Sequence, residues 1–359
     1  MLRALQLGDL LCAVPAFRAL RAAYPEAHIS LIGLPWAREL IARYPAYLDE
    51  FIEFPGYPGI PEAPFDPARL ATFVADMQAR RFDLAIQLHG SGLNSNALVE
   101  LLGARRSAGH RRPGGWSPDP DTFVEYTGHG SEVDRCLEAV AAAGAPPLGR
   151  DLEFRVGDDD RAALAALPAM APQSLPATPY VVLHPGARHA LRRWPAERFA
   201  AVGRSLAKAG WPVVLTGTED EIGATSAVAA AIGEPAIDLA GLTNLGALAA
   251  LIDGARLLVS NDTGLAHLAD ALGTPSVVVF THTDPERWAA ADRNTHRVVA
   301  PATQLNPCTH REGRAHRCLA DACTLSDRSG REPTVGDVPV DAVLDEAYQV
   351  LAAETSRVA

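Results

Sequence analysis

The 359-residue chain lacks several features that particular protein classes need. Lys208 is its single lysine, which disfavours lysine chemistry such as a Schiff base or a Walker A phosphate loop. Its five cysteines are sparse and odd in number, which argues against a secreted disulfide scaffold. No apolar run approaches the ~20 residues of a transmembrane helix, and the first residues do not resemble a signal peptide. We therefore expect a cytoplasmic protein.

Positive charge is also in short supply, with 32 basic residues against 43 acidic ones and a net charge of −11. This balance, together with the absence of any nucleic-acid-binding signature, predicts no nucleic-acid partner. Neither half of the chain opens with a GxGxxG turn, so a dehydrogenase is disfavoured. An anionic ligand would have to be held locally, by particular arginines or by helix N-termini.

Apolar runs alternate with helical patterns along most of the chain, which predicts an α/β fold with parallel sheets. The length suggests two domains. We predict an N-terminal Rossmann-like domain over 1–167, a proline-rich linker over 168–179, and a C-terminal Rossmann-like domain over 180–336. The stretch 113–128 is predicted to be an ordered loop. Two such doubly wound domains would face each other across a cleft.

The first candidate turn is Gly8-Asp9, between a predicted strand at 2–7 and a predicted helix at 10–24. Asp9 can be read as an N-cap that stabilises the helix by ~1 kcal/mol. It can equally be read as a general base, because the carboxyl ends of the strands in such a sheet face the ligand.

Three further turns follow predicted strands of the C-terminal domain. His184-Pro185-Gly186 precedes Arg192 and Arg193, and glycine there allows the backbone to approach a diphosphate closely. The run SNDTGLAH at 260–267 joins a buried strand to a helix, and free N–H groups at the helix start suit a phosphate. Glu221 either stabilises a helix start or accepts hydrogen bonds from a ribose.

Two clusters are less specific. The densest basic run of the N-terminal domain could meet an anionic acceptor or could be a solvated surface, and it comprises Arg105, Arg106, His110, Arg111 and Arg112. The Cys308, Cys318 and Cys323 thiols with His310 and His316 do not have the spacing of a standard zinc site, so no metal is predicted there.

The turns LGD at 7–9, HPG at 184–186 and DTGLAH at 262–267, in this order and at these separations, resemble glycosyltransferase family 9, the lipopolysaccharide heptosyltransferase family. The similarity extends over roughly residues 1–300 and implies a GT-B fold. It also implies an inverting transfer of a sugar, typically heptose from ADP-heptose, to a saccharide hydroxyl such as lipopolysaccharide core. No metal or other cofactor is implied.

The same resemblance implies roles for individual residues. Asp9 matches the general base, and Arg192 stands where the family usually carries a lysine beside the diphosphate. The donor would be held by the residues His184, Gly186, Glu221, Leu242, Asp262, Thr263, Gly264 and His267. At positions 187 and 188, where some members carry hydroxyl residues that contact phosphate, this chain has Ala187 and Arg188, and the charge of Arg188 would substitute for those contacts. The final segment, 337–359, would be a helix that packs back toward the N-terminal domain.

The implied partners are a nucleotide-diphosphate sugar, most simply an ADP-sugar, and a saccharide or glycolipid acceptor. Such an acceptor would bring a peripheral contact with the inner face of the cytoplasmic membrane. Several alternatives remain: a related transferase with another donor sugar or a non-lipopolysaccharide acceptor, a GT-B nucleotide-sugar epimerase, and a non-catalytic binding protein. The Asp9 turn favours a transferase, because it suits one base aimed at an acceptor.

Overall fold

A computed structural model describes residues 1–127, 130–167, 178–233, 236–301 and 338–358. These residues fall into two compact units, the first ending at Glu153 and the second beginning at Phe154. The predicted fold class, with two doubly wound units of parallel sheet, is confirmed. Among the residues described, no helix is long and apolar enough to cross a bilayer.

The first unit contains short parallel strands flanked by helices. Its strands are β1 (Ser30–Gly33), β2 (Glu50–Glu53), β3 (Leu84–Ile86), β4 (Arg106–Arg111) and β5 (Phe123–Glu125). Its helices are α1 (Leu7–Ala23), α2 (Ala37–Ile41), α3 (Pro67–Arg80), α4 (Ser95–Leu101) and α5 (Glu132–Ala142). β1 pairs with β2 in one sheet, and β3, β4 and β5 form the other in that order.

An extended segment at the start of the chain joins these two sheets. Leu2 forms parallel bridges with both Ile32 of β1 and Gln87 beyond β3. The resulting order is β2, β1, the Leu2 segment, β3, β4 and β5, which is the order of a Rossmann sheet with the Leu2 segment in the first position. Ligands bind such sheets beside that central segment, at the carboxyl edge, where the order reverses.

The predicted strand at 2–7 is too long, because α1 begins at Leu7. Gln6 has extended backbone and is the N-cap of α1, which places Asp9 at the third helical position. The Asp9 carboxylate accepts the N–H of Gln6 at 3.4 Å, so it satisfies one of the unpaired groups of this helix end. Asp9 therefore caps α1 from within its first turn and is not the N-cap itself.

The second unit is built around one six-stranded parallel sheet in the order β11-β10-β9-β6-β7-β8. Its strands are β6 (Val181–His184), β7 (Val213–Leu215), β8 (Ala236–Asp238), β9 (Leu257–Asn261), β10 (Ser276–Val279) and β11 (His296–Val299). Its helices are α6 (Asp158–Ala166), α7 (Ala196–Lys208), α8 (Ile222–Ile232), α9 (Leu245–Asp253), α10 (Gly264–Leu272), α11 (Pro285–Trp288) and α12 (Val340–Val358). The order reverses between β6 and β9, the two strands that carry the HPG and SNDTGLAH turns.

The boundary between the units lies earlier than the predicted 167. Helix α6 packs against α9 of the second unit, and Arg161 pairs with Asp253 at 2.9 Å. We therefore place the boundary at 153, ahead of α6. The predicted linker lies mostly outside the described residues.

The final helix, α12, is part of the core of the second unit, and its predicted packing toward the N-terminal domain stays a prediction. Its apolar side chains, among them Val343, Ala347 and Leu351, lie in the core of the second unit. The indole of Trp194 donates to the Val338 carbonyl at 3.0 Å, just before α12 begins. Burying these apolar groups in the sheet core stabilises the helix where it lies, at roughly 25 cal/mol per Å².

Several elements escaped sequence-based prediction. β4 falls within the run predicted only as a basic cluster, and β5 within the predicted loop at 113–128. The strand β11 and the helices α2, α6 and α11 were also missed. The predicted cluster of three cysteines and two histidines between 308 and 323 lies outside the described residues.

Candidate functional site

In the first unit, Asp9 lies at the carboxyl edge of the central Leu2 segment. Its side chain is 16% exposed, whereas Arg3, on that segment, is 1% exposed. Arg3 donates from Nε to the Asp9 carbonyl at 2.7 Å, and its Nη2 lies 3.8 Å from Asp9 Oδ1. The carboxylate is thus partly open to solvent, with a buried cation beside it, and a partly exposed carboxylate can accept a proton from a bound ligand.

In the second unit, the HPG turn is fitted closely to its neighbours. His184 Nδ1 lies 3.0 Å from the Thr216 carbonyl oxygen. Burial lowers the pKa of His184, although the negative charge of Glu221 acts to raise it. A Cβ at Gly186 would lie 2.3 Å from the Glu221 carboxylate, so only glycine fits without a shift. Glu221 also accepts the N–H of Thr218 at 2.9 Å. The structure therefore brings His184, Gly186 and Glu221 together.

Asn261, a residue of the SNDTGLAH run to which sequence reasoning gave no role, bonds to the HPG turn and to Trp194. Its Nδ2 donates to the carbonyls of Pro185 at 2.8 Å and Gly186 at 3.1 Å. Its Oδ1 accepts the N–H of Trp194 at 2.9 Å. Because Asn261 is fully buried at the end of β9, this carboxamide fixes the HPG turn against Trp194, shortly before α7 begins. A polar residue ending an otherwise apolar buried strand was the signal that could have identified it.

Arg192 and Asp262 form an ion pair beside these turns. Arg192 Nη1 lies 3.7 Å from Asp262 Oδ2, and the Thr283 hydroxyl donates to the same oxygen. Asp262 is buried, whereas Arg192 keeps about a quarter of its side chain exposed. A partly exposed guanidinium held by a buried carboxylate can receive a phosphate through its remaining N–H groups.

Helix α10 begins at Gly264, directly after Thr263. The hydroxyl of Thr263 is buried and has no hydrogen-bond partner among the described atoms. The first N–H groups of a helix have no partner within the helix, so this helix start offers several donors to an anion. His267 is buried within α10, with its ring edge-on to Trp288 at 6.1 Å.

The two remaining predicted donor residues lie near the same edge of the sheet. Arg188 is exposed and follows the HPG turn. Leu242 is half-buried in the turn after β8 and donates its N–H to the Leu239 carbonyl at 3.1 Å. A half-buried leucine at this edge offers an apolar surface on which a planar ring could pack.

The structure does not bring the predicted arginine cluster together. Arg105 and Arg106 lie at the amino end of β4, where Arg105 is 78% exposed and pairs with Asp83. Arg111 and Arg112 lie at its carboxyl end, the edge to which Asp9 belongs, and Arg111 pairs with Glu125 at 3.2 Å. A six-residue strand separates the two pairs by roughly 16 Å, at ~3.3 Å per residue.

Known proteins resemble this chain over most of its length. Lipopolysaccharide heptosyltransferase 3 of Escherichia coli is 27% identical over 326 residues, covering 87% of this chain and 91% of that protein. The solved structure of a family 9 glycosyl transferase from Veillonella parvula has a TM-score of 0.73 at 19% identity, covering 98% and 96% of the two chains. That of E. coli ADP-heptose lipopolysaccharide heptosyltransferase II has a TM-score of 0.70 at 22% identity, covering 99% and 98%.

The sequence profile of glycosyltransferase family 9 (heptosyltransferase) matches residues 71–318, more than half of the chain. This range includes the HPG turn, the Arg192–Asp262 pair and the start of α10. The chain belongs to glycosyltransferase family 9, the heptosyltransferase family, and is a glycosyltransferase.

Proposed function

We propose that this protein transfers a heptose from ADP-heptose to a saccharide hydroxyl of lipopolysaccharide core, with inversion at the anomeric carbon and without a metal ion. The observation that carries the proposal is the Arg192–Asp262 pair beside the HPG turn and the start of α10, at the reversal point of the second sheet. The choice of sugar and acceptor is supported by the similarity to E. coli lipopolysaccharide heptosyltransferases.

The donor's diphosphate would bind at the second unit. Arg192 would pair with phosphate oxygens, and the N–H groups that open α10 would donate to them, together with the Thr263 hydroxyl. Gly186 would allow the backbone to approach the ligand, while Glu221 would accept ribose hydroxyls. These groups supply the positive charge that a divalent cation would otherwise give to a departing diphosphate.

Asp9 would act as the general base in the transfer step. The acceptor oxygen attacks C1 of the heptose from the face opposite the diphosphate, and its proton passes to the Asp9 carboxylate. The bond between C1 and the diphosphate oxygen breaks, and ADP leaves with the bonding electron pair. Attack opposite the leaving group inverts the anomeric centre.

On the acceptor side, Arg111 and Arg112 are the better candidates of the four predicted arginines, because they lie at the carboxyl end of β4. They would meet anionic groups of the acceptor. Arg105 and Arg106 would take no part, because they lie at the amino end of the same strand.

We also propose a peripheral contact with the inner face of the cytoplasmic membrane. Trp116 follows Arg112 in the loop after β4 and is 63% exposed, which suits the polar and apolar boundary of a bilayer. We expect the protein to sediment with vesicles that contain anionic lipid and Trp116→Ala to do so less. Equal sedimentation of both forms would contradict this contact.

The first test of the donor is calorimetric titration of the EDTA-treated protein with ADP, UDP, GDP and dTDP. We expect ADP to bind with a micromolar Kd and the other three nucleotides to bind at least tenfold more weakly. Tight binding of another nucleotide in place of ADP would overturn the ADP-sugar assignment.

The second test is transfer itself, with ADP-heptose and heptose-deficient lipopolysaccharide core, in EDTA, followed by mass spectrometry. We expect one heptose per acceptor and, by nuclear magnetic resonance, a product anomer opposite to that of the donor. Transfer only after addition of a divalent cation would contradict the metal-independent mechanism, and retention would contradict a single displacement.

A further inference from the structure

Arg3 is a charged residue in the central segment of a buried sheet. Residues alternate sides along an extended segment. Leu2 and Ala4 lie in the apolar core of the first unit, whereas Arg3 points to the other face, among Asp9, Cys12 and Glu132. A buried charge costs several kcal/mol unless it is paired and hydrogen-bonded, so its partners account for its presence.

The Arg3 guanidinium connects three parts of the first unit. Nε donates to the Asp9 carbonyl at 2.7 Å, at the start of α1. Nη1 donates to the Leu88 carbonyl just beyond β3, and Nη2 donates to Glu132 Oε1 at 3.2 Å, at the start of α5. The start of α1, and with it the Asp9 carboxylate, is therefore fixed to the neighbouring strand and to α5.

Glu132 balances the charge of Arg3 from the side away from solvent. Its second oxygen lies 3.4 Å from Arg135 Nη1, and the Arg135 guanidinium lies 4.7 Å from the centre of the Tyr126 ring. The cluster thus holds two cations and two anions. Of the four, Asp9 is the most exposed to solvent, since the other three side chains are at most 5% exposed.

We propose that Arg3 is the positioning residue of the catalytic base, which aims the Asp9 carboxylate and keeps it ionised, and that Glu132 sets how much of the Arg3 charge acts on Asp9. This inference rests on the proposed role of Asp9 as base. Arg3 touches no substrate in this arrangement. It acts through the Asp9 carbonyl at 2.7 Å and the carboxylate at 3.8 Å.

In the part of the chain that the structure describes, two further titratable groups interact with Asp9, the thiols of Cys12 on α1 and Cys136 on α5. Burial raises the pKa of Cys136 to about 12 and that of Cys12 well above its usual value. Both thiols are therefore neutral over the range in which a carboxylate titrates. Among the described residues, Arg3 and Glu132 bring charge to the surroundings of Asp9, with Arg135 one step further away.

The test is the pH dependence of kcat/KM, whose acid limb reports the protonation of the base in the free enzyme. Arg3→Gln removes the cation, so we expect the acid limb to move up by about one pH unit or more. Glu132→Gln leaves the Arg3 charge uncompensated, so we expect the acid limb to move to lower pH. Arg3→Lys keeps the charge but loses hydrogen bonds, so we expect a lower kcat with the limb near its original place.

Arg21→Gln is the matched control, because Arg21 lies in the last turn of α1, far along the helix from Asp9, and pairs with Asp49 at 2.5 Å. We expect its pH profile to equal that of the original protein. ADP affinity reports the second unit and should be unchanged in every variant. Should Arg3→Gln fail to fold, Arg3→Lys and Glu132→Gln carry the test.

A purely structural role for Arg3 would lower activity without moving the acid limb, or would move it in the same direction for Arg3→Gln and Glu132→Gln. Either result overturns the inference. Failure of the proposed function looks different, since the original protein would then transfer no heptose, or Asp9→Asn would retain transfer. If Asp9→Asn abolishes transfer while the limb stays in place in all the Arg3 and Glu132 variants, only the positioning role is wrong.

Discussion

The two units fix the same kind of turn with different chemistry. Each places its candidate residues at the reversal point of a Rossmann-like sheet, and each holds the turn by means of a buried polar side chain. In the first unit that side chain is the charged guanidinium of Arg3, which bonds to Asp9 and Leu88. In the second it is the neutral carboxamide of Asn261, which bonds to Pro185, Gly186 and Trp194.

The difference reflects what each turn is proposed to do. A base needs a charge environment as well as a position, and a buried cation supplies both at the cost of desolvation. A diphosphate site needs backbone held at short range, which a neutral carboxamide secures without adding charge. The activity that depends on the first turn should therefore be most sensitive to changes of charge. Ligand binding at the second turn should be most sensitive to changes of shape and hydrogen bonding.

The largest expected effect is that of Asp9→Asn in the first unit. The amide keeps the shape of the side chain but cannot take the acceptor proton, so kcat should fall by about 10³-fold. The Kd for ADP, measured by calorimetry, should not change. Asp49→Asn, which removes an exposed ion pair near the other end of α1, is the control. Substantial residual transfer by Asp9→Asn would remove Asp9 as the base.

Next in size is Asn261→Asp in the second unit, which replaces the Nδ2 donor to two buried carbonyls with an acceptor. We expect a loss of about 3 kcal/mol in the free energy of unfolding and at least tenfold weaker ADP binding. Asn244→Ala, which removes the N-cap of α9 where Asn244 Oδ1 accepts from Ala247 N at 2.8 Å, should cost about 1 kcal/mol and spare ADP affinity. Equal effects of the two substitutions would contradict the role given to Asn261.

Arg192→Ala tests the charge that the second unit presents to its ligand. A charged hydrogen bond contributes about 1.5–3 kcal/mol, so the Kd for ADP should rise about tenfold to a hundredfold. Arg204→Ala is the control, because Arg204 lies on α7 and its Nη1 donates to the Ala231 carbonyl at 2.9 Å, so ADP affinity should not change. Unchanged ADP affinity in Arg192→Ala would mean that another group holds the diphosphate.

The free energy of unfolding should also fall at acid pH because of His296 in the second unit. The Nδ1 atom of its ring lies 2.9 Å from the Ser276 hydroxyl, within hydrogen-bond distance. Burial lowers the pKa of His296 to about 4, against the opposing charge of Asp292. In the unfolded chain the pKa of His296 is near 6.5. The stability that the neutral, buried ring contributes is therefore fully present above pH 6.5 and is lost progressively as the pH falls to about 4. Between pH 7.5 and 5 this residue should lower the free energy of unfolding by about 2 kcal/mol. In urea unfolding, the free energy of His296→Gln should therefore decline by about 2 kcal/mol less over the same pH range.

The smallest effects separate the two ends of β4. Arg112→Ala should raise the KM for the acceptor about three- to tenfold, the value of one exposed polar contact. Arg105→Ala should change that KM less than about twofold, because an exposed pair such as Arg105–Asp83 contributes little. Steady-state kinetics at saturating donor measures both KM values. A larger effect of Arg105→Ala than of Arg112→Ala would indicate that the acceptor binds at the amino end of β4.

Sequence reasoning located the turns well where the signal is local. The helix predicted to follow the turn at 260–267 is α10, since an apolar strand, a polar turn and a helical repeat follow one another there within a few residues. Short strands with mixed composition, such as β5, were missed because a three-residue strand carries no clear alternation.

The partners of Arg3 and Asn261 lay beyond such reasoning. Glu132 is 129 residues from Arg3, and Pro185 is 76 residues from Asn261, so no local pattern connects them. Each residue did carry a partial signal, namely a polar side chain in or at the end of a buried strand. Such a signal indicates that the buried side chain has a hydrogen-bond partner, but it does not identify the partner residue.

The sequence by itself determined that the chain has two doubly wound units, that the Asp9, HPG and DTGLAH turns follow strands, and that their residue types suit a base and a diphosphate. These features depend on neighbours in the chain and on the periodicity of apolar side chains. Only the tertiary structure decided that Arg3 anchors Asp9, that Asn261 joins two turns, that α12 belongs to the second unit, and that the basic run splits across β4. Those outcomes depend on which strands pair and which helices cover them, and sheet pairing joins residues that are distant in sequence.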